Sequence, residues 1–261
     1  MIVADKKKVI FIHIEKTGGT SIAALLVPYI SEKFRSKNAM MPESGKEWRR
    51  DWHVNRQHSG FSESLPVLDK LGVDPQEYFK FAIVRNPYSW LLSVWENRYK
   101  SPMTVKKTLA NRLRFQIGKF IDIKRLPSQH FHQMYPDGSF KSFVLFIDYL
   151  NSNYPPSFTQ KYMGGQDQFS YIDNNRNIKF DFIGKLENLD QDIQKINQIV
   201  GLNDGLEVPH FNQARRITNK QKYLDYYDDE SIEIVNRIFV RDFEAFDYQP
   251  ISNLTERQST V

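Results

Sequence analysis

Apolar and polar positions alternate between two periods along this chain, and the changes of period mark its elements. A run of β-formers at 9–14 (Val-Ile-Phe-Ile-His-Ile) is followed by Lys16 and the pair Gly18-Gly19. From Thr20-Ser21 onward the apolar residues Ile22, Leu25, Leu26 and Tyr29 recur at helical spacing. The pattern predicts a strand over 8–14 and a helix over about 20–34. A second buried-strand pattern at 79–84 leads into Asn86, a natural N-cap, and Pro87, suited to the first helical position, so a helix is expected over about 87–99.

The remainder reads more coarsely. Residues 35–57 form a polar excursion with Trp48 and Trp52, expected as loop with a short helix, and a helix follows near 62–71. Over 100–125, Leu109, Leu113, Ile117, Phe120 and Ile121 recur at helical spacing among basic residues. Residues 127–138 read as loop, 140–150 as helix and 151–165 as loop. A short strand is expected at 169–172, a buried strand at 180–184, and a helix at 189–200 ended by Gly201. A loop carrying 209–216, a helix over about 229–243 and a polar tail at 251–261 close the chain. Strands alternating with helices argue for an α/β fold with a doubly wound, mainly parallel sheet. A length of 261 residues suits one domain, 1–250.

Composition narrows the class. The 40% apolar content is that of a globular protein, and no run of apolar residues is long enough to span a membrane. Cysteine is absent, which removes disulfides and thiolate metal sites, and the reading that follows is a cytoplasmic protein of bacterial or phage origin. A net charge of +5 suits a protein that meets anions. Much of that excess lies at 100–125, where Lys100, Lys106, Lys107, Arg112, Arg114, Lys119, Lys124 and Arg125 face a single acid, Asp122. The segment is either a solvated helix face or a surface for a polyanionic acceptor or nucleotide. No helix-turn-helix, zinc or RNA-binding signature supports nucleic acid.

The turn at 16–21 carries the first candidate chemistry. A strand, a Gly-rich turn and a helix N-terminus together present backbone N–H groups and a positive dipole end to an anion. Lys16 adds a charge, Gly18 and Gly19 allow close approach, and Thr17, Thr20 and Ser21 lie in the same turn. This is not a Walker A loop, because Lys16 precedes the glycines, and a Gly pair after a strand also occurs in ordinary βα turns. Arg85 falls at the C-terminal end of the second strand, where open α/β sheets bind ligands, with Ser93 on the following helix. Together they suit one phosphate, Arg85 as a bidentate clamp and Ser93 as a hydroxyl donor. The plain alternatives are a strand-end salt bridge and a small packing residue.

Two segments carry a resemblance. His13-Ile-Glu-Lys-Thr-Gly-Gly-Thr-Ser21 resembles the 5′-phosphosulfate loop of the carbohydrate sulfotransferases, and Phe81-Ala-Ile-Val-Arg-Asn-Pro-Tyr-Ser-Trp-Leu-Leu-Ser93 resembles their 3′-phosphate motif. The stretch from Asp181 through Phe-Ile-Gly-Lys-Leu-Glu-Asn to Asp190, Pro209-His-Phe-Asn212 with Arg215-Arg216, and the closing Asp242 to Tyr248 resemble later parts of the same family. The resemblance implies a P-loop-like fold and the donor 3′-phosphoadenosine 5′-phosphosulfate, leaving adenosine 3′,5′-bisphosphate after transfer to a carbohydrate acceptor. It implies that Lys16 and the amides of 18–21 hold the phosphosulfate, that Arg85 and Ser93 hold the 3′-phosphate, and that no metal is needed. The family's animal Golgi members carry an N-terminal membrane anchor. Two departures stand out: Glu15 where Pro is usual, and Trp90 where Arg is common.

Sulfuryl transfer to a hydroxyl also needs a base near neutrality. Of six histidines, His58 is the candidate, by resemblance to the His before the Arg85 strand in heparan 2-O-sulfotransferase-like members, with His53 second and Glu63 weaker. A structural hydrogen-bonded role is the plain alternative for His58. His13 reads as part of its strand, and the spacing of His130 and His132 is that of a metal-binding pair lacking a third ligand. Arg215 and Arg216 close over the nucleotide or acceptor, or form a surface charge pair. Trp48, Trp52, Tyr154 and Tyr162 are stacking candidates for sugar rings, and Gln166 and Gln168 polar candidates for an acceptor cleft. Three other activities fit parts of this pattern: a non-catalytic nucleotide or polyanion binder, a sulfotransferase acting on tyrosine or a small metabolite, and a nucleotide kinase. The position of Lys16 argues against the kinase.

Overall fold

A computed structural model describes residues 1–35, 53–54, 58–101, 127–159, 162, 166–202 and 222–252. The basic segment beyond residue 101, the Trp48 and Trp52 excursion, Arg215, Arg216 and the tail beyond residue 252 lie outside the described residues.

A four-stranded sheet in the order β1-β2-β3-β4 organises the first part of the fold. β1 (Ile2–Ala4) pairs antiparallel with β2 (Val9–Ile12), while β2, β3 (Phe79–Val84) and β4 (Phe182–Lys185) are parallel neighbours. The parallel register (Val9↔Phe79, Ile12↔Ala82, Val84↔Lys185) ends the three strands at one edge of the sheet. β1 was not expected. Its three apolar residues are too short a run to read as a strand, and they fold back through a turn in which Lys8 takes a φ of 50° and its N–H bonds the Asp5 carbonyl at 3.1 Å.

Helices make up most of the other described elements. α1 spans Gly19–Leu26, α2 spans Phe61–Lys70, α3 spans Pro87–Arg98, α4 spans Pro127–Met134 and α5 spans Phe140–Asn153. A short α6 (Pro156–Thr159), α7 (Leu189–Val200), α8 (Asp229–Ile238) and α9 (Val240–Phe246) follow. The fold is therefore mixed α/β with a mostly parallel sheet. α1 stops well short of residue 34 because Pro28 has no N–H to continue the ladder, and 3-10 turns at 27–29 and 32–34 take over.

Three expectations need correction. Residues 127–138 were expected as loop, yet α4 forms there: Pro127 occupies its first position and Phe131 is buried beside Tyr99, Phe143 and Phe146. The strand expected at 169–172 is a 3-10 turn, since the Asp167 carboxylate takes the Ser170 N–H at 3.0 Å and its hydroxyl as well. The closing helix is two helices broken at buried Phe239, whose φ of −104° and ψ of 25° leave the α region.

By its contacts the chain forms two compact units, each from discontinuous segments: 1–86, 167–218 and 244–248 in the first, 87–166, 219–243 and 249–261 in the second. The first holds the sheet with α1, α2 and α7. Lys80, 5% exposed, ties β3 to the approach to β4: its ammonium and N–H both meet one Asp181 carboxylate oxygen at 2.7 Å, and the Asp181 N–H returns to the Lys80 carbonyl at 2.8 Å. The second unit is helical around an aromatic core. Tyr99 and Phe143 lie 4.5 Å apart between ring centres, and Trp90, fully buried, meets Phe239 edge-on at 5.7 Å. Trp90 is thus a packing residue.

Candidate active site

The sheet edge at which β2 and β3 end gathers the candidate groups of the first unit. After Ile12 the chain turns through 13–18 into α1, and Lys16 and Gly18 take left-handed backbone angles, φ 61° and 80°. Such angles cost a lysine about 1–2 kcal/mol, so the turn conformation is imposed by what surrounds it. The N-cap residue of α1 is Gly18, which has no side chain to cap it, and no acidic residue lies in its first turn.

The glycines earn their positions against protein groups. A Cβ on Gly18 would stand 2.9 Å from the Leu186 side chain, and one on Gly19 would stand 2.1 Å from the His13 ring. The close approach at Gly19 is therefore by an imidazole. Thr17 is buried and its hydroxyl donates to the Ile14 carbonyl at 3.0 Å, which commits that donor to the turn. Thr20 is half-buried and Ser21 buried, with the Ser21 N–H bonded to the Gly18 carbonyl at 3.0 Å. Glu15 is buried, 2% exposed, so its carboxylate is an interior group of the turn.

Arg85 leaves the end of β3 and its Nη1 donates to the Lys16 carbonyl at 3.4 Å, bringing the guanidinium to the backbone of the Lys16 turn. Its backbone is held separately. The Arg85 N–H donates to Gln168 Oε1 at 2.9 Å, and Gln168 Nε2 donates back to the Arg85 carbonyl at 2.7 Å. Gln168 is fully buried and spends both of these bonds on a peptide, so the acceptor-cleft expectation for it is corrected. The next N–H, of Asn86, donates to Glu187 Oε1 at 2.8 Å, while Tyr248 donates its hydroxyl to Glu187 Oε2 at 2.9 Å. Sequence reasoning missed these supports; Glu187 stood inside a resembling motif, and nothing in the pattern tied Gln168 to Arg85.

Three histidines converge beside the turn. His13 Nδ1 and His53 Nε2 share a buried hydrogen bond at 3.0 Å. His58 Nδ1 lies 3.1 Å from the His13 carbonyl, and the His13 and His58 rings meet edge-on with centres 4.9 Å apart. A carbonyl only accepts, so His58 Nδ1 carries the hydrogen and the neutral ring presents Nε2 as its basic nitrogen. Burial, followed by repulsion from His58 and His53, holds His13 well below the ordinary histidine range, so it stays uncharged at neutral pH.

Further candidates belong to the second unit. Ser93 lies in α3 of the second unit and is half-buried. His130 and His132 sit two apart on α4, a spacing that sends side chains to different sides of a helix, which argues against the metal pair. His130 Nδ1 pairs with the Tyr162 hydroxyl at 3.0 Å.

Comparison with known proteins adds the family. The sulfotransferase family model matches residues 1–249. Human carbohydrate sulfotransferase 9 is 22% identical over 240 residues, 84% of this chain and 51% of the relative. Carbohydrate sulfotransferase 12 of Xenopus laevis is 22% identical over 258 residues, 95% of this chain and 60% of the relative. Carbohydrate sulfotransferase 10 of Danio rerio is 23% identical over 275 residues, 95% and 66%. The chain thus spans half to two thirds of the length of these relatives, and no solved structure gives a significant match. These animal proteins overturn the expectation of a cytoplasmic protein from a bacterium or phage: the matches fall in the branch that the resemblance places at Golgi membranes. Among the described residues no helix is long and apolar enough to cross a membrane. On a match that runs through all but its last dozen residues, the chain belongs to the sulfotransferase family.

Proposed function

We propose that this chain is a sulfotransferase that moves a sulfuryl group from 3′-phosphoadenosine 5′-phosphosulfate to a hydroxyl of a carbohydrate. The observation that carries the reading is the meeting of Arg85 with the Lys16 turn, because the donor bears anions at both ends of one adenosine and needs cations on adjacent βα turns. A P-loop-like arrangement of the parallel strands is part of this reading, and the match to carbohydrate sulfotransferases supports the acceptor class.

The residues present suit the donor. Lys16 and the start of α1, with Gly18 at its N-cap, face negative charge at the 5′ end, and Arg85 at the 3′ end. His58 Nε2 takes the proton of the acceptor hydroxyl as its oxygen bonds to sulfur. The sulfur–oxygen bond to the 5′-phosphate breaks, and adenosine 3′,5′-bisphosphate leaves with the bonding pair. Positioning and electrostatics then supply most of the rate, as in phosphoryl transfer. Thermal stabilisation by adenosine 3′,5′-bisphosphate against magnesium ATP tests the donor: a shift with the bisphosphate and little with the triphosphate supports the reading, and the reverse refutes it.

A further inference from the structure

The paired bonds between Gln168 and Arg85 ask for an explanation. Arg85 stands one residue past the last registered pair of β3 and β4, Val84↔Lys185. A side-chain amide meets its peptide groups: Gln168 receives the Arg85 N–H at 2.9 Å and donates to its carbonyl at 2.7 Å, as an extra strand would. Gln168 is 0% exposed, so neither bond competes with water. Glu187 holds the next peptide through the Asn86 N–H at 2.8 Å and is itself tied to Tyr248. Two consecutive peptides are thereby fixed from outside the strand.

The guanidinium, by contrast, touches the Lys16 carbonyl at 3.4 Å, the long end of hydrogen bonding. The shorter bonds are those to the Arg85 backbone, at 2.9 and 2.7 Å. We propose that Gln168 is the positioning residue of Arg85 and, with Glu187 behind it, confers the preference of this site for a donor bearing a 3′-phosphate; the inference rests on the donor reading above. A guanidinium aimed by a rigid peptide meets a tetrahedral phosphate with two aligned N–H groups, and a loosened one meets it as a diffuse charge.

The test compares adenosine 3′,5′-bisphosphate with adenosine 5′-phosphosulfate, which lacks the 3′-phosphate, by titration calorimetry on wild type and Gln168→Met. Methionine keeps the length of the side chain and removes both partners. The bisphosphate is expected to weaken by about tenfold or more and the phosphosulfate by less than about twofold. Equal weakening of both ligands, or of neither, overturns the positioning role. A wild type with no preference for the bisphosphate instead removes the donor reading, and the selectivity with it. Should Gln168→Met fail to fold, Gln168→Glu, which still accepts from the Arg85 N–H, carries the same comparison.

Discussion

The Arg85 guanidinium reaches the main-chain carbonyl of Lys16, so the end of β3 and the turn after β2 meet through a side chain from one and a backbone group from the other. On the proposed reading each cation serves a different end of the donor. Lys16→Ala and Arg85→Ala are each expected to weaken adenosine 3′,5′-bisphosphate binding by about 1.5–3 kcal/mol, roughly 10- to 150-fold in Kd. For adenosine 5′-phosphosulfate, only Lys16→Ala should cost that much. Calorimetry on the two variants checks the split, and equal losses for both ligands in both variants contradict it.

His58 should separate chemistry from binding. His58→Ala is expected to lower kcat by about 10²- to 10⁴-fold, the usual contribution of a general base, while the bisphosphate Kd stays within about twofold. Steady-state rates with matched binding data decide this, and full turnover in the variant removes His58 as base.

Gly19 lacks room for a methyl group, since its Cβ would fall 2.1 Å from the His13 ring. Gly19→Ala should destabilise the fold by about 1–3 kcal/mol through overpacking. Part of that loss should return in Gly19→Ala/His13→Ala, where the clashing ring is gone, so the two changes combine non-additively. Urea unfolding of the four proteins of the cycle measures the coupling, and simple additivity denies the contact.

Buried neutral His13 makes stability depend on pH. The unfolded chain binds a proton there near pH 6.5, whereas burial, followed by repulsion from His58 and His53, keeps the folded site well below that value. The contribution is complete above about pH 6.5 and is lost as pH falls from there toward the folded pKa, with a slope of up to about 1.4 kcal/mol per unit. Urea midpoints at falling pH should drop more steeply for wild type than for His13→Asn; parallel curves would show that His13 does not titrate on unfolding.

The elements on either side of the two candidate turns were legible because their signals are local. Asn86-Pro87 marks the β3-to-α3 junction at the residue, and the run at 79–84 coincides with β3. What escaped was tertiary in origin. β1 is stabilised by pairing with β2 rather than by its own three residues, and α4 by the burial of Phe131 among distant aromatics. The same holds at the site. Lys16, Arg85 and His58 were named from the chain, but the Gln168 clamp spans 83 residues and the His13–His53 bond 40, and no periodicity encodes such partners.

The most direct test supplies radiolabelled 3′-phosphoadenosine 5′-phosphosulfate with a panel of defined glycans to wild type and Lys16→Ala, and follows label into the sugar. The account predicts label on a carbohydrate hydroxyl with wild type and loss of most of it with Lys16→Ala. Donor bound by wild type with no label transferred to any glycan, or transfer untouched by Lys16→Ala, would contradict it.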